Sequence, residues 1–258
     1  MCLHLGQRKL LLTEVKFLTL YGQLASSVVY IGAAPGQHLP FLATLFKTHT
    51  FYLFDPREFA FEETSNLKQF RLLFSPSEIS FLDNFLFISD IRQEIKSSFS
   101  KERVDQIVEK DMELQKDWVK KLKPTASLLK FRLPRSKPFY SYLKGELWEQ
   151  PWAPPDTLET RLMISKVPEE IDYGLETYLE KIKFQKRNRE SLIENHKVPL
   201  KRVPGLDYCW DCNLEIQIWK LYLERRGEIT NSEICKKMLQ AGHQTQKYLT
   251  VRPHGKKR

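Results

Sequence analysis

The sequence predicts an α/β fold, a largely parallel sheet flanked by helices, with a C-terminal helical region. Two observations predict the sheet. Short runs rich in β-branched and aromatic residues recur between residues 27 and 133, and each stops at a Gly, Pro or Asp. Segments with apolar residues at three- and four-residue spacing lie between them. A third observation predicts the helical end: beyond about residue 167 the helical spacing takes over. The expected organisation is a core over 1–167, a helical region over 168–250 packed on it, and a basic tail over 251–258.

The elements follow in order. Leu10, Leu11, Val15 and Leu18 keep helical spacing and predict a helix over roughly 7–24. Ser27–Ile31 predicts a buried strand that ends at a glycine turn. A helical pattern runs from His38 to Phe46, and a strand at 51–54 stops at Asp55-Pro56. Further strands are expected at 70–74 and at 85–89, the latter just before Asp90. Val104, Ile107, Val108, Met112, Trp118, Val119 and Leu122 form one stripe of a helix over 101–122, which Pro124 ends. Strands are predicted at 127–133 and 158–165, joined by a Pro- and aromatic-rich loop over one end of the sheet. Residues 169–190 read as a helix ending in the basic cluster Lys181, Lys183, Lys186, Arg187 and Arg189. The stretch 213–226 reads as a second helix, and a third follows the capping box Thr230–Glu233.

Bulk composition narrows the class. With 41% hydrophobic residues the 258-residue chain has enough apolar surface for a folded core, which excludes a disordered chain. Lys and Arg number 41 against 32 Asp and Glu, and the resulting charge of +9 suits a polyanionic partner. The cysteines, Cys2, Cys209, Cys212 and Cys235, are too few for a disulfide framework. Cys209 and Cys212 have zinc-ligand spacing, but without a second such pair they read as inert cysteines at a helix start, so no metal is expected. No apolar run approaches the length of a membrane span, and the first residues lack a signal-cleavage pattern, so a soluble intracellular protein is expected.

The segment VVYIGAAPGQH carries the first chemistry. Gly32 and Gly36 lie just past the end of a strand, where open α/β sheets bind ligands and where glycine lets backbone approach a ligand closely. The third glycine of the dinucleotide fingerprint is missing, and Pro35 stiffens the turn. The next strand ends at Asp55, a residue type that accepts hydrogen bonds from a ribose diol. The pattern points to a nucleoside cofactor without an obligatory pyrophosphate, and S-adenosylmethionine fits.

GQRKLLL, VVYIGAAPGQH, FISDIR, ASLLKFRLP and QPWAPPDTLETRLMI occur in this order. They resemble matching segments of the poxvirus cap-specific 2′-O-methyltransferases, which double as the small subunit of poly(A) polymerase. The glycine loop also resembles the wider FtsJ-type ribose methyltransferases. The likeness covers most of 6–166 and, more weakly, the helical region around DYCWDCNLE. It implies a Rossmann-like methyltransferase that transfers a methyl group from S-adenosylmethionine to a ribose 2′-hydroxyl at a capped mRNA 5′ end. It also implies a poly(A) polymerase catalytic subunit or other transcription machinery as partner. The implied location is the cytoplasm, with virion or viral factory as special cases, and no membrane.

Carried over by motif, the family's Lys-Asp-Lys-Glu tetrad falls on Lys9, Asp90, Lys130 and Glu159. The cofactor contacts fall on Gln7, Gly32, Ala34, Pro35, Gly36, His38, Asp55 and Arg57, with Asp90 shared. Lys130 is expected to take or steer the hydroxyl proton, Lys9 to supply a second charge, and the two acids to orient the amine. The cap-binding positions depart from the family. Arg135 replaces an aromatic, Asp156 replaces a tyrosine, and an acidic residue falls near Gly174. The family's N-terminal extension has no counterpart in this sequence. Phe139, Tyr140, Tyr142, Trp148 and Trp152 are replacement candidates for stacking a base. Two other readings compete: methylation of internal ribosomal or transfer RNA positions, and a non-catalytic RNA-binding processivity subunit of a poly(A) polymerase.

Overall fold

The computed structural model describes residues 6–154, 157–165, 169–190 and 210–246. Six helices are described: α1 (Gly6–Tyr21), α2 (Leu39–Leu45), α3 (Lys101–Leu122), α4 (Leu175–Glu190), α5 (Trp210–Glu224) and α6 (Asn231–Gln246). The strands are β1 (Ser27–Ile31), β2 (Thr50–Phe54), β3 (Leu67–Phe70), β4 (Leu86–Ser89), β5 (Ala126–Phe131), β6 (Phe139–Leu143), β7 (Glu146–Trp148), β8 (Thr160–Ile164) and β9 (Glu170–Gly174). Seven of them form one sheet in the order β3-β2-β1-β4-β5-β8-β7. The first five are parallel, and β8 and β7 add antiparallel. The α/β class expected from the sequence is thus the one observed.

Both faces of the sheet are covered, as an almost continuous apolar strand such as SVVYI requires. Alternate residues serve opposite layers. Val28 and Tyr30 face the layer built with α1, α2, α5 and α6, where Leu11, Val15, Leu42, Trp219 and Met238 pack. Val29 and Ile31 face the α3 layer with Val108, Met112, Trp118 and Val119. Helix α3 begins where the Ser100 hydroxyl accepts from Arg103 N and ends at left-handed Lys123, just before Pro124.

Four expectations are corrected. The third strand runs over Leu67–Phe70 rather than 70–74, because β2 ends at Phe54 and offers no partner beyond the pair Phe54↔Phe70. The stretch 134–156 is not all loop: β6 and β7 lie within it. Tyr140 and Tyr142 are buried while Phe139 and Ser141 are exposed, a period of two that the surrounding prolines mask. Residues 170–174 form a strand paired antiparallel with β6 rather than the start of a helix. Strand β8 is the fourth: it runs antiparallel to β5 in a sheet expected to be largely parallel. That reversal brings its first residue beside the last residue of β5, through the pair Phe131↔Thr160.

Helix α5 is tied to α1 by a buried ion pair. Arg8 Nη2 and Nε donate to Glu215 at 2.8 and 2.9 Å, and Arg8 Nη2 also reaches the Met238 carbonyl of α6 at 3.3 Å. The Asp156 position, Cys2, Cys209 and the tail 251–258 lie outside the described residues, as does the side chain of Arg189.

Candidate active site

The carboxyl ends of the parallel strands share one rim of the sheet, and the predicted site residues gather there. Gly32 follows β1, Asp55 follows β2, Asp90 follows β4, and Lys130 is the penultimate residue of β5. Glu159 immediately precedes β8, and the antiparallel run of β8 returns it to the same rim. Lys9 arrives from the first turn of α1.

The structure brings Lys9, Asp90, Lys130 and Glu159 into one cluster. Lys130 Nζ lies 3.1 Å from Asp90 Oδ1 and 3.8 Å from Glu159 Oε1, and it donates to the Asp90 carbonyl at 3.3 Å. Lys9 Nζ lies 3.5 Å from the same Glu159 oxygen. Two arginines complete the cluster. Arg161, fully buried, is the cross-strand neighbour of Lys130 and binds Asp90 through Nη2 and the Ser89 carbonyl through Nη1 at 3.2 Å. Like charges directly opposite on a sheet repel. Asp90 sits between Lys130 and Arg161, which lets both cations share one face. Arg92 bridges Glu159 at 3.5 Å and Asp111 of α3 at 3.3 Å. Four cations thus meet three carboxylates, a local positive surplus suited to a phosphate-bearing ligand.

These contacts set the acidities. Burial disfavours ionisation of Asp90, but Arg161, Lys130 and Lys9 outweigh it and hold the carboxyl well below its ordinary value. Glu159 is also lowered: burial opposes the charge, and Lys130 and Lys9 overcome it. Lys9 is lowered in turn, because burial outweighs the pull of Glu159, with Arg161 adding repulsion. The two acids therefore stabilise the fold fully above about pH 5, and that contribution is lost as pH falls through their lowered values. Lys9 has the same slope in a different window: its lowered value makes its burial as a cation unfavourable at neutral pH, and stability rises with pH between that lowered value and 10.5. Urea unfolding across pH is expected to show an acid-side slope that Glu159→Gln reduces. An unchanged slope in that variant would separate Glu159 from the charge cluster.

The glycine loop adjoins this cluster. Gly32 has φ +76°, and a Cβ there would stand 2.9 Å from the backbone of Asp90 and Ile91. Only glycine allows this approach, which sets Asp90 directly beside the end of β1. Gly36, at φ +64°, would bring a Cβ to 2.7 Å from the Ala33 carbonyl. The Ala34–Pro35 peptide is cis. Ala34 N donates to Asp55 Oδ2 at 3.1 Å, and Arg57 grips both Asp55 oxygens and the Ala34 carbonyl. The Arg57 side chain is 66% exposed, so it can leave the carboxylate to a ribose diol. A glycine turn beside a strand-end acid is a donor and acceptor set that fits a nucleoside cofactor.

His38 stands apart from the rim. It is fully buried, with its ring nitrogens 2.8 Å from Gln7 Oε1 and 2.8 Å from Glu14 Oε2, while Tyr30 OH donates to the other Glu14 oxygen. Gln7 and His38 tie the glycine loop to α1 from behind. Of the five predicted stacking rings, Tyr140, Tyr142 and Trp148 are buried, and Trp152 lies against Arg8. Phe139 alone of them is strongly exposed, at 67%, across from Gly174. Arg135 and Ser136 donate their backbone N–H groups to Asp105 at 2.7 and 2.9 Å, so α3 anchors the loop that carries Arg135. Cys212 is buried on α5, and His243 is exposed on α6. Among the described residues no three metal-binding side chains converge.

Sequence reasoning missed Arg161, Arg92, Glu14 and Glu215. The signal for Arg161 was present, a charge inside the apolar strand TRLMI. For the others the partner lies on a distant element and leaves no local pattern.

The sequence model of a family described as poly A polymerase regulatory subunit matches residues 2–239. The cap-specific mRNA (nucleoside-2′-O-)-methyltransferase of myxoma virus, strain Lausanne, is 33% identical over 186 residues, 62% of this chain and 52% of the relative. The fowlpox virus protein of the same name is 35% identical over 180 residues, 61% of this chain and 57% of the relative. The chain spans about half the length of the curated relatives it matches. Among solved structures, bluetongue virus VP4, described as a multifunctional RNA-capping production line, shares the fold. Its TM-score is 0.52 at 16% identity, over 65% of this chain and 30% of VP4.

Proposed function

Because the chain belongs to the poly A polymerase regulatory subunit family, we propose that it is an S-adenosylmethionine-dependent methyltransferase of RNA ribose 2′-hydroxyls, acting at the capped 5′ end of mRNA. The observation that carries this reading is the convergence of Lys9, Asp90, Lys130 and Glu159 at the strand rim beside the Gly32 turn. The names of the myxoma and fowlpox virus relatives support it.

When bound, S-adenosylmethionine supplies a methyl group already activated on a sulfonium, so the chain's task is alignment and proton handling. Gly32, Ala34, Pro35 and Gly36 form the cradle. Asp55 accepts from the ribose diol once Arg57 releases it, and Gln7 and His38 fix the loop from behind. Lys130 takes or steers the proton of the 2′-hydroxyl. Asp90, 3.1 Å away, and Glu159, 3.8 Å away, fix the direction of its amine. Lys9 adds a second positive charge beside it, and the local positive surplus receives the RNA backbone. Phe139 is the ring left to stack a base. The same reading gives RNA as partner and the cytoplasm as the site of action, in keeping with the viral relatives.

The family description favours a second role, as an RNA-binding accessory subunit of a poly(A) polymerase. The deciding assay is tritiated methyl transfer to short RNAs that differ only in the cap, followed by mapping of the labelled ribose. Transfer to capped RNA alone supports the main reading. Equal transfer to both RNAs moves the target to internal positions, and cofactor binding without transfer leaves only the accessory role.

A further inference from the structure

Helix α5 lies outside the strand rim, yet two of its carboxylates reach the segments that carry the catalytic side chains. Glu215 is fully buried and accepts four hydrogen bonds. Two come from Arg8, at 2.8 and 2.9 Å, one from Trp152 Nε1 at 2.7 Å, and one from Trp219 Nε1 at 3.1 Å. Arg8 is the residue before Lys9, and Trp152 belongs to the loop that leads to Glu159. One turn earlier on α5, Asp211 Oδ1 accepts from Trp152 N at 2.9 Å. The Arg8 guanidinium stacks 5.2 Å from the Trp152 ring, so the two held segments also touch each other.

The backbone of Trp152 supplies an independent sign. Its φ is +62°, a left-handed conformation that a bulky side chain avoids. Such a residue persists only where its surroundings over-determine it, and such places cluster at functional sites. Here the surroundings are Asp211, Glu215 and Arg8. From the α6 side, Gly242 lies so close that a Cβ there would come within 3.3 Å of Arg8 Nη1, so the guanidinium has little room to shift.

We infer that Asp211 and Glu215 are positioning residues of the active site, holding the first turn of α1 and the Trp152 loop in one register so that Lys9 and Glu159 meet. The inference rests on the methyl-transfer reading only for its activity readout. It makes α5 part of the catalytic apparatus rather than a cover on the sheet.

Two full-length variants test it. Trp152→Phe keeps an aromatic ring and removes one donor to Glu215; Glu215→Gln keeps the volume and removes the charge. Three quantities are read: binding of S-adenosylhomocysteine, single-turnover methyl transfer at saturating cofactor and RNA, and the pH profile of Lys9 acylation by competitive labelling with mass spectrometry. In Trp152→Phe, cofactor-product binding is expected to hold, and the transfer rate to fall roughly 10- to 100-fold, as a misplacement near 1 Å produces. The Lys9 profile should move along the pH axis in both variants. A folded Trp152→Phe protein with wild-type rate and wild-type Lys9 profile overturns the inference, and this variant decides if Glu215→Gln does not fold. If the wild-type chain methylates no RNA, the functional reading falls. The Lys9 profile then decides alone, a moved profile supporting positioning and an unmoved one ending it.

Discussion

Lys130→Ala is expected to lower single-turnover methyl transfer by about 10²- to 10⁴-fold, the range for losing a positioned proton-transfer group. Cofactor binding should stay close to wild type, because the cradle from Gly32 to Gly36 and the Asp55–Arg57 pair do not touch this amine. Folding should suffer little by comparison with the charge network's other members. Removing the amine leaves Asp90 still bound to Arg161 and leaves Glu159 still paired with Lys9 and Arg92. The kinetic measurement is single turnover with cofactor prebound, alongside a thermal melt. Near-normal turnover in this variant would remove Lys130 from the chemistry and pass the role to Lys9, the other amine at the rim.

Arg161→Met reverses that balance. The methionine fills similar space in a fully buried strand position, but it takes from Asp90 its strongest partner and from the Ser89 carbonyl a donor. Breaking a buried pair by removing one member costs about 3–5 kcal/mol, a large share of a domain's stability. For a chain of this size the melting temperature should drop by on the order of 10 °C. The Asp90 carboxyl should move up toward its ordinary acidity, because Arg161 is the largest of the charges holding it down. Lys130 would then lose a firmly ionised partner, so transfer falls even in the folded fraction. Calorimetry and titration of the variant check both effects. A melting temperature within about 2 °C of wild type would mean that Asp90 does not depend on this arginine.

How much of this was legible beforehand can be followed residue by residue. Gly32 was readable as a site residue because a glycine after a buried strand marks close backbone approach. The neighbour it approaches proved to be the Asp90–Ile91 backbone. Asp90 and Lys130 are implied by the family resemblance, and Lys130 is also a charge inside an apolar run. Arg161 carries the same signal in TRLMI, but its meaning depends on Lys130 lying opposite it. The sequence puts His38 in the cofactor loop, and only the structure turns its ring inward onto Gln7 and Glu14.

The sequence alone determined the alternation of strands and helices, the helical end of the chain and the glycine turn. Each of these is written in short-range patterns: periodicity, β-branching, and the backbone freedom that one position demands. The tertiary structure decided the antiparallel return of β8, the arginines that hold Asp90 and Glu159, and the clamp that Glu215 makes on two distant segments. Those depend on sheet register and on which helix faces which. Residues 207 positions apart, as Arg8 and Glu215 are, meet only because a common core excludes water around both.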